Sequence, residues 1–466
     1  MNLKKDNLQT IYNLISQVVL NGTNFVLIML FTRFLSTDNY GVVSIYQAYV
    51  LFFAIIIGLN VQGTIGTAFA HINSKEHNNY LASIYLLAIL AFGVILVICV
   101  ICMKPLVSFS QMTVSMILMM LCHSFGSFAF NFASIKYVYS RKAQYTCILS
   151  LILSVSMVLF SWIGITQKKF DVPQYWGRIL GLAIPYIICA IYVTITIFAK
   201  GNPFIGWKRY INFCLPICLP LIFHGLSQVI LAQTDKVMLQ KMLSEYSSVG
   251  IYSFIITFVH IMNSIYIALN NTWVPIYYEY LKKKDLQSLF ERGKRYHDLY
   301  IILAVGFLML SPEVVKLFAD SSYWVGIKLI PLALVSVYMV FAYSFAINYE
   351  LYYRQTKLIA IGTTSAALAN VILNALLIPL IGMYGAAIAT VIAYVLLFVF
   401  HNICSLKINR GDYVFKWKYY AKYFLILLGF SILFYVFLDA VIVRWIIAVV
   451  AAMILINQIY RTKSIF

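Results

Sequence analysis

Charge is scarce in this chain: only 11% of its 466 residues are Asp, Glu, Lys or Arg, and just 15 are acidic. With 62% apolar residues, 16% aromatic residues and a mean hydropathy of +0.88, it has too little polar surface to enclose a soluble core. That excludes a soluble enzyme, a nucleic-acid-binding domain and a secreted disulfide scaffold. No Gly-Lys-Thr phosphate loop is present, which excludes a primary ATP-driven pump unless a partner supplies the nucleotide domain. The paired carboxylates needed for glycosyl chemistry are missing, and the outer loops are too short for a catalytic segment. The expectation is therefore no catalytic residue and no enzyme. Eight cysteines lie almost wholly in apolar runs, and the close pair Cys99 and Cys102 has no second ligand pair. Packing, and no metal site, is the expectation. The N-terminus lacks the short apolar core and small-residue cleavage site of a signal peptide, so the first span is expected to be retained.

What is present is a series of long apolar runs. A bilayer-spanning helix needs about 17–25 mostly apolar residues. Fourteen such stretches are found at 9–31, 43–70, 81–103, 113–135, 145–165, 179–199, 213–233, 249–273, 299–318, 327–347, 358–380, 384–405, 420–438 and 440–459. The predicted fold class is an all-α polytopic membrane protein of about 14 helices, two six-helix lobes plus a C-terminal pair. Its divisions are 1–199 (helices 1–6), a cytoplasmic linker 200–211, 212–406 (helices 7–12) and 407–466 (helices 13–14). With the N-terminus in the cytoplasm, the inside loops hold 24 of the 34 Lys and Arg, as the positive-inside rule requires. Both termini are then cytoplasmic, and much of the net charge of +19 is topology. No nucleic-acid partner is expected, because no folded soluble domain carries a basic face. The longest soluble piece, 279–298, places Leu286, Leu289 and Phe290 among Lys and Arg. An interfacial amphipathic helix and a solvated loop with some helix are both open there.

Two turns repeat. Leu35-Ser36 with Gly41 follows the first span, and Leu243-Ser244 with Gly250 follows the seventh, the spacing expected of two lobes related by duplication. Such lobes enclose a site near the bilayer midplane and expose it alternately to each side.

Polar side chains in hydrocarbon are costly, so they face a bundle interior or a wet cavity. Asn13, Gln17, Asn21 and Asn24 lie on one face of the first span. His224, Gln228 and Asp235 form a stripe on the seventh, His260, Asn263 and Asn271 one on the eighth, and Asn370 and Asn374 one on the eleventh. Interhelical hydrogen bonding is the alternative for each Asn or Gln, and a satisfied core histidine for His224. Asp235 with Lys236 is either a neutralised pair at the outer interface or a charge that binds and releases a coupling ion. Arg33 is either a snorkelling anchor or a ligand for an anionic headgroup. The aromatic residues are expected to form interface belts, with some Tyr available to stack on sugar rings.

The runs Thr32-Arg33-Phe34-Leu35, His224-Gly225-Leu226-Ser227, Thr234-Asp235-Lys236-Val237, Ser311-Pro312-Glu313 and Ala369-Asn370-Val371-Ile372-Leu373-Asn374, followed by Ile378-Pro379 and Tyr384-Gly385-Ala386-Ala387, resemble bacterial polysaccharide flippases over nearly the whole chain. That O-antigen and capsule repeat-unit family is similar in fold to multidrug extrusion transporters and lipid II flippases. The resemblance implies a transporter in the bacterial cytoplasmic (inner) membrane that moves an undecaprenyl-diphosphate-linked oligosaccharide to the outer leaflet. Polysaccharide polymerase and chain-length machinery are candidate partners. It implies no cofactor, only a coupling ion, H+ or Na+. A diphosphate cannot cross hydrocarbon unaided and needs a polar, positively biased cavity. Arg33, Lys236 and Arg354 are the candidates for the diphosphate, and Asn21, Asn24, Gln228, Asn370 and Asn374 for sugar. Asp235 and His224 are the candidates for ion coupling. Multidrug or cation extrusion, and then lipid II flipping, are the alternatives.

Overall fold

The computed structural model describes residues 31–166, 173–408 and 413–462, with positions 12, 19, 22, 23 and 27. Among them are helices and no strands. In hydrocarbon every backbone N–H and C=O must be satisfied within its own segment, and helices do this. They are α1 (Thr37–Gly58), α2 (Ile65–His71), α3 (His77–Ile101), α4 (Met103–Ser110), α5 (Val114–Tyr139), α6 (Ala143–Thr166), α7 (Gln174–Phe198), α8 (Trp207–Leu243), α9 (Tyr246–Lys283), α10 (Leu286–Phe318), α11 (Ile330–Tyr352), α12 (Thr356–Ile381), α13 (Met383–Ile408), α14 (Trp417–Val436) and α15 (Val441–Thr462). Twelve helical segments among the described residues are long and apolar enough to cross a membrane. They fall, in order, on the second to thirteenth predicted spans, and the apolar stretch Val441–Asn457 of α15 falls on the fourteenth. The chain is a multi-pass membrane protein. The first predicted span lies largely outside the described residues.

Contacts divide the chain into two compact units. One is built on Asn39–Val237; the other on Met238–Phe466, with Ile28–Asp38 joined to it. The chain passes from the first to the second inside α8.

In the first unit, the predicted span 43–70 is broken. Leu59 and Asn60 both adopt left-handed backbone, at φ 46° and 51°, a conformation that costs an L-residue about 1–2 kcal/mol. A short 3₁₀ turn, Val61–Thr64, leads from the break into α2. Elsewhere in this unit α6 and α7 pack at backbone distance. Gly177 and Gly181 stand four apart on α7, and a Cβ added at Gly177 would strike the Gly164 backbone, one at Gly181 the Ser161 backbone. This is the small-residue helix contact of membrane proteins, closed by Arg178, whose Nη1 donates to Ser161 Oγ at 2.7 Å. Gly177→Leu is expected to lose at least the ~1–3 kcal/mol of ordinary overpacking, because backbone cannot step aside. Gly93, with open space at its Cβ position, supplies the control: Gly93→Leu should keep the thermal stability in detergent that Gly177→Leu loses.

The second unit has an aromatic core. Trp273, Tyr277, Tyr296, Tyr300, Tyr338 and Tyr349 are all fully buried, and Tyr300 stacks on Phe341 at a centroid distance of 4.1 Å. His297 stacks on Tyr423 at 3.9 Å and meets the Tyr338 hydroxyl at 3.0 Å. Much of the tyrosine is thus helix packing rather than interface belt. Residues 279–298 form the end of α9, a turn with Lys284 at φ 56°, and the start of α10. Leu289 is completely buried there. Asp285 caps α10, and hydrogen bonds from the Ser288 hydroxyl and backbone N–H hold its carboxyl below the usual carboxylate range. The two repeated Leu-Ser turns also meet in this unit, Thr37 Oγ1 lying 2.8 Å from Ser247 Oγ.

Candidate functional site

In the first unit the helix break brings polar groups to α8. Asn60 Nδ2 donates to the Leu221 carbonyl at 2.9 Å, and its Oδ1 accepts from Gln62 Nε2 at 2.8 Å. Pro216 and Pro220 lie within α8 just before this contact, where each removes a backbone N–H and frees a carbonyl. His224 belongs to the same turn of α8, half-buried, with an enclosed Nδ1 that has no hydrogen-bond partner among the described residues. The next residue, Gly225, brings its backbone close enough that an added Cβ would sit 3.6 Å from Asn60 Nδ2. Discontinuous helices with polar groups at the break are where transporters of repeated architecture hold substrates and ions. Sequence reasoning missed Asn60 and Gln62, although Gly58, Asn60 and Gly63 in an apolar run were a legible signal for an interruption.

Farther along α8, Gln228 is exposed, Asp235 is 4% exposed and Lys236 is half-buried. His224 and Asp235 share a helix face but stand about 16 Å apart along the axis, so a single ion cannot bridge them. Asp235 and Lys236 immediately precede the passage from the first unit to the second.

In the second unit, Arg33 is exposed in the turn before α1. Its guanidinium donates to the carbonyls of Phe318, at 3.1 Å, and Leu317. It thereby closes the C-terminal end of α10, where a cation is favoured by the helix dipole. Arg354 is exposed at φ 58° in the turn between α11 and α12. Asn370 and Asn374 are both fully buried. Asn374 Nδ2 donates to Asn370 Oδ1 at 3.0 Å, and Asn370 Nδ2 to Thr390 Oγ1 of α13 at 3.2 Å. The stripe is thus a hydrogen-bonded seam between α12 and α13 in this conformation. Asn21 and Asn24, like Asn13 and Gln17, lie outside the described residues.

Two side-chain pairs were not foreseen. His401 Nδ1 lies 2.9 Å from both carboxylate oxygens of Glu350, linking α13 to α11 with neither side chain exposed. Arg444 of α15 grips Glu313 of α10 through both terminal nitrogens, at 2.8 and 2.5 Å. Partners 51 and 131 positions apart leave no spacing signal. Among the described residues no group of three or more His, Cys, Asp or Glu is placed to hold a metal.

An almost wholly apolar groove of about 430 Å³ runs between α11, α13 and α14, lined by Met339, Val395, Phe398, Val399, Trp417 and Phe424 among others. Asn402 lies at its edge and accepts from the Tyr413 hydroxyl at 3.3 Å.

The family described as "Polysaccharide biosynthesis protein" matches residues 8–281. "Lsg locus putative protein 1" of Haemophilus influenzae is 24% identical over 343 residues, 72% of this chain and 82% of that protein. An "Uncharacterized membrane protein" of the same organism is 23% identical over 369 residues, 77% of this chain and 86% of that one. Among solved structures, the lipid II flippase MurJ in its inward closed conformation superposes with a TM-score of 0.70 over 98% of this chain and 99% of that one, at 13% identity. A point mutant of the Vibrio cholerae MATE transporter VcmN gives a TM-score of 0.59 over 88% of this chain and 98% of its own, at 11% identity. These likenesses establish the fold as the one shared by flippases and multidrug transporters.

Proposed function

Because the chain belongs to the polysaccharide biosynthesis protein family, we propose that it is a flippase that carries undecaprenyl-diphosphate-linked oligosaccharide repeat units across the bacterial cytoplasmic membrane. The cargo serves surface polysaccharide synthesis of the O-antigen or capsule type, handed on to polysaccharide polymerase and chain-length machinery. The observation that carries this reading is the family match on a chain whose fold superposes along almost its full length on a lipid II flippase. Transport proceeds by ion-coupled alternating access with both termini in the cytoplasm.

The chemistry divides along the cargo. The prenyl tail stays in hydrocarbon, and the apolar groove of α11, α13 and α14 suits it. The sugar and diphosphate need polar groups and positive charge. Gln228 and the polar groups at the α1 break supply the former, with Asn21 and Asn24 of the first span. Lys236 and Arg354 supply the latter. Arg33 contributes field only if it releases the α10 carbonyls, and Asn370 and Asn374 meet sugar only if the α12–α13 seam opens as the protein cycles. Asp235, buried in α8, couples the ion, H+ or Na+, and His224 acts separately at the break.

Purified protein in liposomes containing a fluorescent undecaprenyl-diphosphate oligosaccharide should expose the label on the opposite leaflet when a pH or sodium gradient is applied. Asp235→Asn keeps the volume and removes the charge; gradient-driven flipping should fall at least tenfold while insertion and folding are kept. Wild-type rates from a well-folded Asp235→Asn protein would remove it from coupling. Movement of small organic cations, with no exposure of the lipid, would shift the function to drug extrusion.

A further inference from the structure

A further apolar groove lies in the first unit, and none of the residues assigned above is in its lining. It holds about 360 Å³ between α5, α6 and α7 and is lined by Tyr137, Tyr145, Ile152, Pro185, Ile188 and Tyr192 among others. Ile152, Ile188, Tyr145 and Tyr192 are each about half exposed, so the groove opens on the outer surface of the unit. Three helix ends meet at its tyrosine end: the C-termini of α5 and α7 and the N-terminus of α6.

Three lysines gather there. Lys136, in the last turn of α5, is only 9% exposed, and its Nζ lies 5.3 Å from the centre of the Tyr137 ring that lines the groove. Lys142 and Lys200 are close enough for their charges to act on it. Both are exposed. The turn that places Lys142 is built for the purpose: Arg141 takes left-handed backbone at φ 55°, Lys142 N–H donates to the Tyr137 carbonyl at 2.8 Å, and Arg141 N–H to the Val138 carbonyl at 3.0 Å. This is the paired hydrogen-bond closure of a helix C-terminus. None of the three lysines takes part in an ion pair among the described residues.

Lysines at helix C-termini offset the helix dipole and obey the positive-inside rule. Neither reason requires a lysine nine-tenths buried over a tyrosine, beside two others of like charge, at the mouth of an apolar groove. Such a cluster is complementary to an anion, and the groove beside it is complementary to a hydrocarbon chain.

We propose that the α5–α6–α7 corner binds one anionic glycerophospholipid, its phosphate held by Lys136, Lys142 and Lys200 and an acyl chain laid in the groove over Tyr137, Ile152 and Ile188. The bound lipid fixes this unit to the bilayer leaflet that faces the lysines.

Native mass spectrometry of the purified protein, titrated with dioleoylphosphatidylglycerol, dioleoylphosphatidylcholine or inorganic phosphate, tests it. One phosphatidylglycerol should be retained at least tenfold more tightly than phosphatidylcholine, and inorganic phosphate should not compete. Lys142→Gln and Lys200→Gln, both at exposed positions, should each weaken retention about fivefold, the equivalent of about 1 kcal/mol per basic residue at a membrane surface. Ile188→Trp, which fills the groove and leaves every charge, should weaken it as much. Equal retention of the two lipids, competition by phosphate, or wild-type retention by either lysine variant would overturn the proposal. So would wild-type retention by Ile188→Trp, because the anion would then be held without its chain.

Discussion

Arg444→Met should lower the stability of the folded protein by about 1–3 kcal/mol, because it removes the donor from the Phe437 and Met309 carbonyls and the counter-charge from Glu313, which is 24% exposed. Arg444 is completely buried in α15, yet every donor it uses is answered. Nε donates to the Phe437 carbonyl at 3.0 Å, Nη1 to the Met309 carbonyl at 2.9 Å and to Glu313, and Nη2 to the other Glu313 oxygen. A planar guanidinium can make this two-pronged contact and an ammonium cannot, so Arg444→Lys should recover less than half of the loss. The arrangement ties the C-terminal helix to α10, two elements with extensive mutual contact. Thermal unfolding in detergent, followed by tryptophan fluorescence, measures the effect. If Arg444→Met and Arg444→Glu both unfold with the wild-type protein, α15 is held by its apolar face alone.

His401→Leu should be comparably severe. It leaves the Glu350 carboxylate fully buried without the imidazole that lies 2.9 Å from both its oxygens. An unpaired carboxylate in such a place must either take up a proton or open the packing around it. Thermal unfolding in detergent should therefore place His401→Leu well below wild type. The double variant Glu350→Leu/His401→Leu removes both polar groups and should regain most of the lost stability, since a buried pair replaced by well-packed apolar residues is often nearly neutral. A double variant as unstable as the single one would show that Glu350 and His401 do not act as a pair. Room is tight here: a Cβ at Gly362 of α12 would come within 2.8 Å of His401 Nε2. Gly362→Ala should consequently be less stable than wild type by a smaller margin than His401→Leu.

The positions of the helices were legible because a membrane imposes a length. Runs of about twenty apolar residues match twelve helical segments among the described residues. The all-helical class follows from the same solvent argument. The spacing of Asn370 and Asn374 was also enough to place them on one face. Whether that face met a cavity or a neighbour depended on Thr390, which comes from a different helix.

The sequence by itself determined the class, the spans and which side chains share a helix face, because hydropathy and the ~3.6-residue turn act locally along the chain. Tertiary structure alone decided the partners. Arg33 spends its guanidinium on the carbonyls of Leu317 and Phe318, Arg444 reaches Glu313, and His401 reaches Glu350. Each of these bonds joins segments far apart in sequence. A charge in hydrocarbon must find a counterpart somewhere, but which one it finds is fixed only when the helices pack.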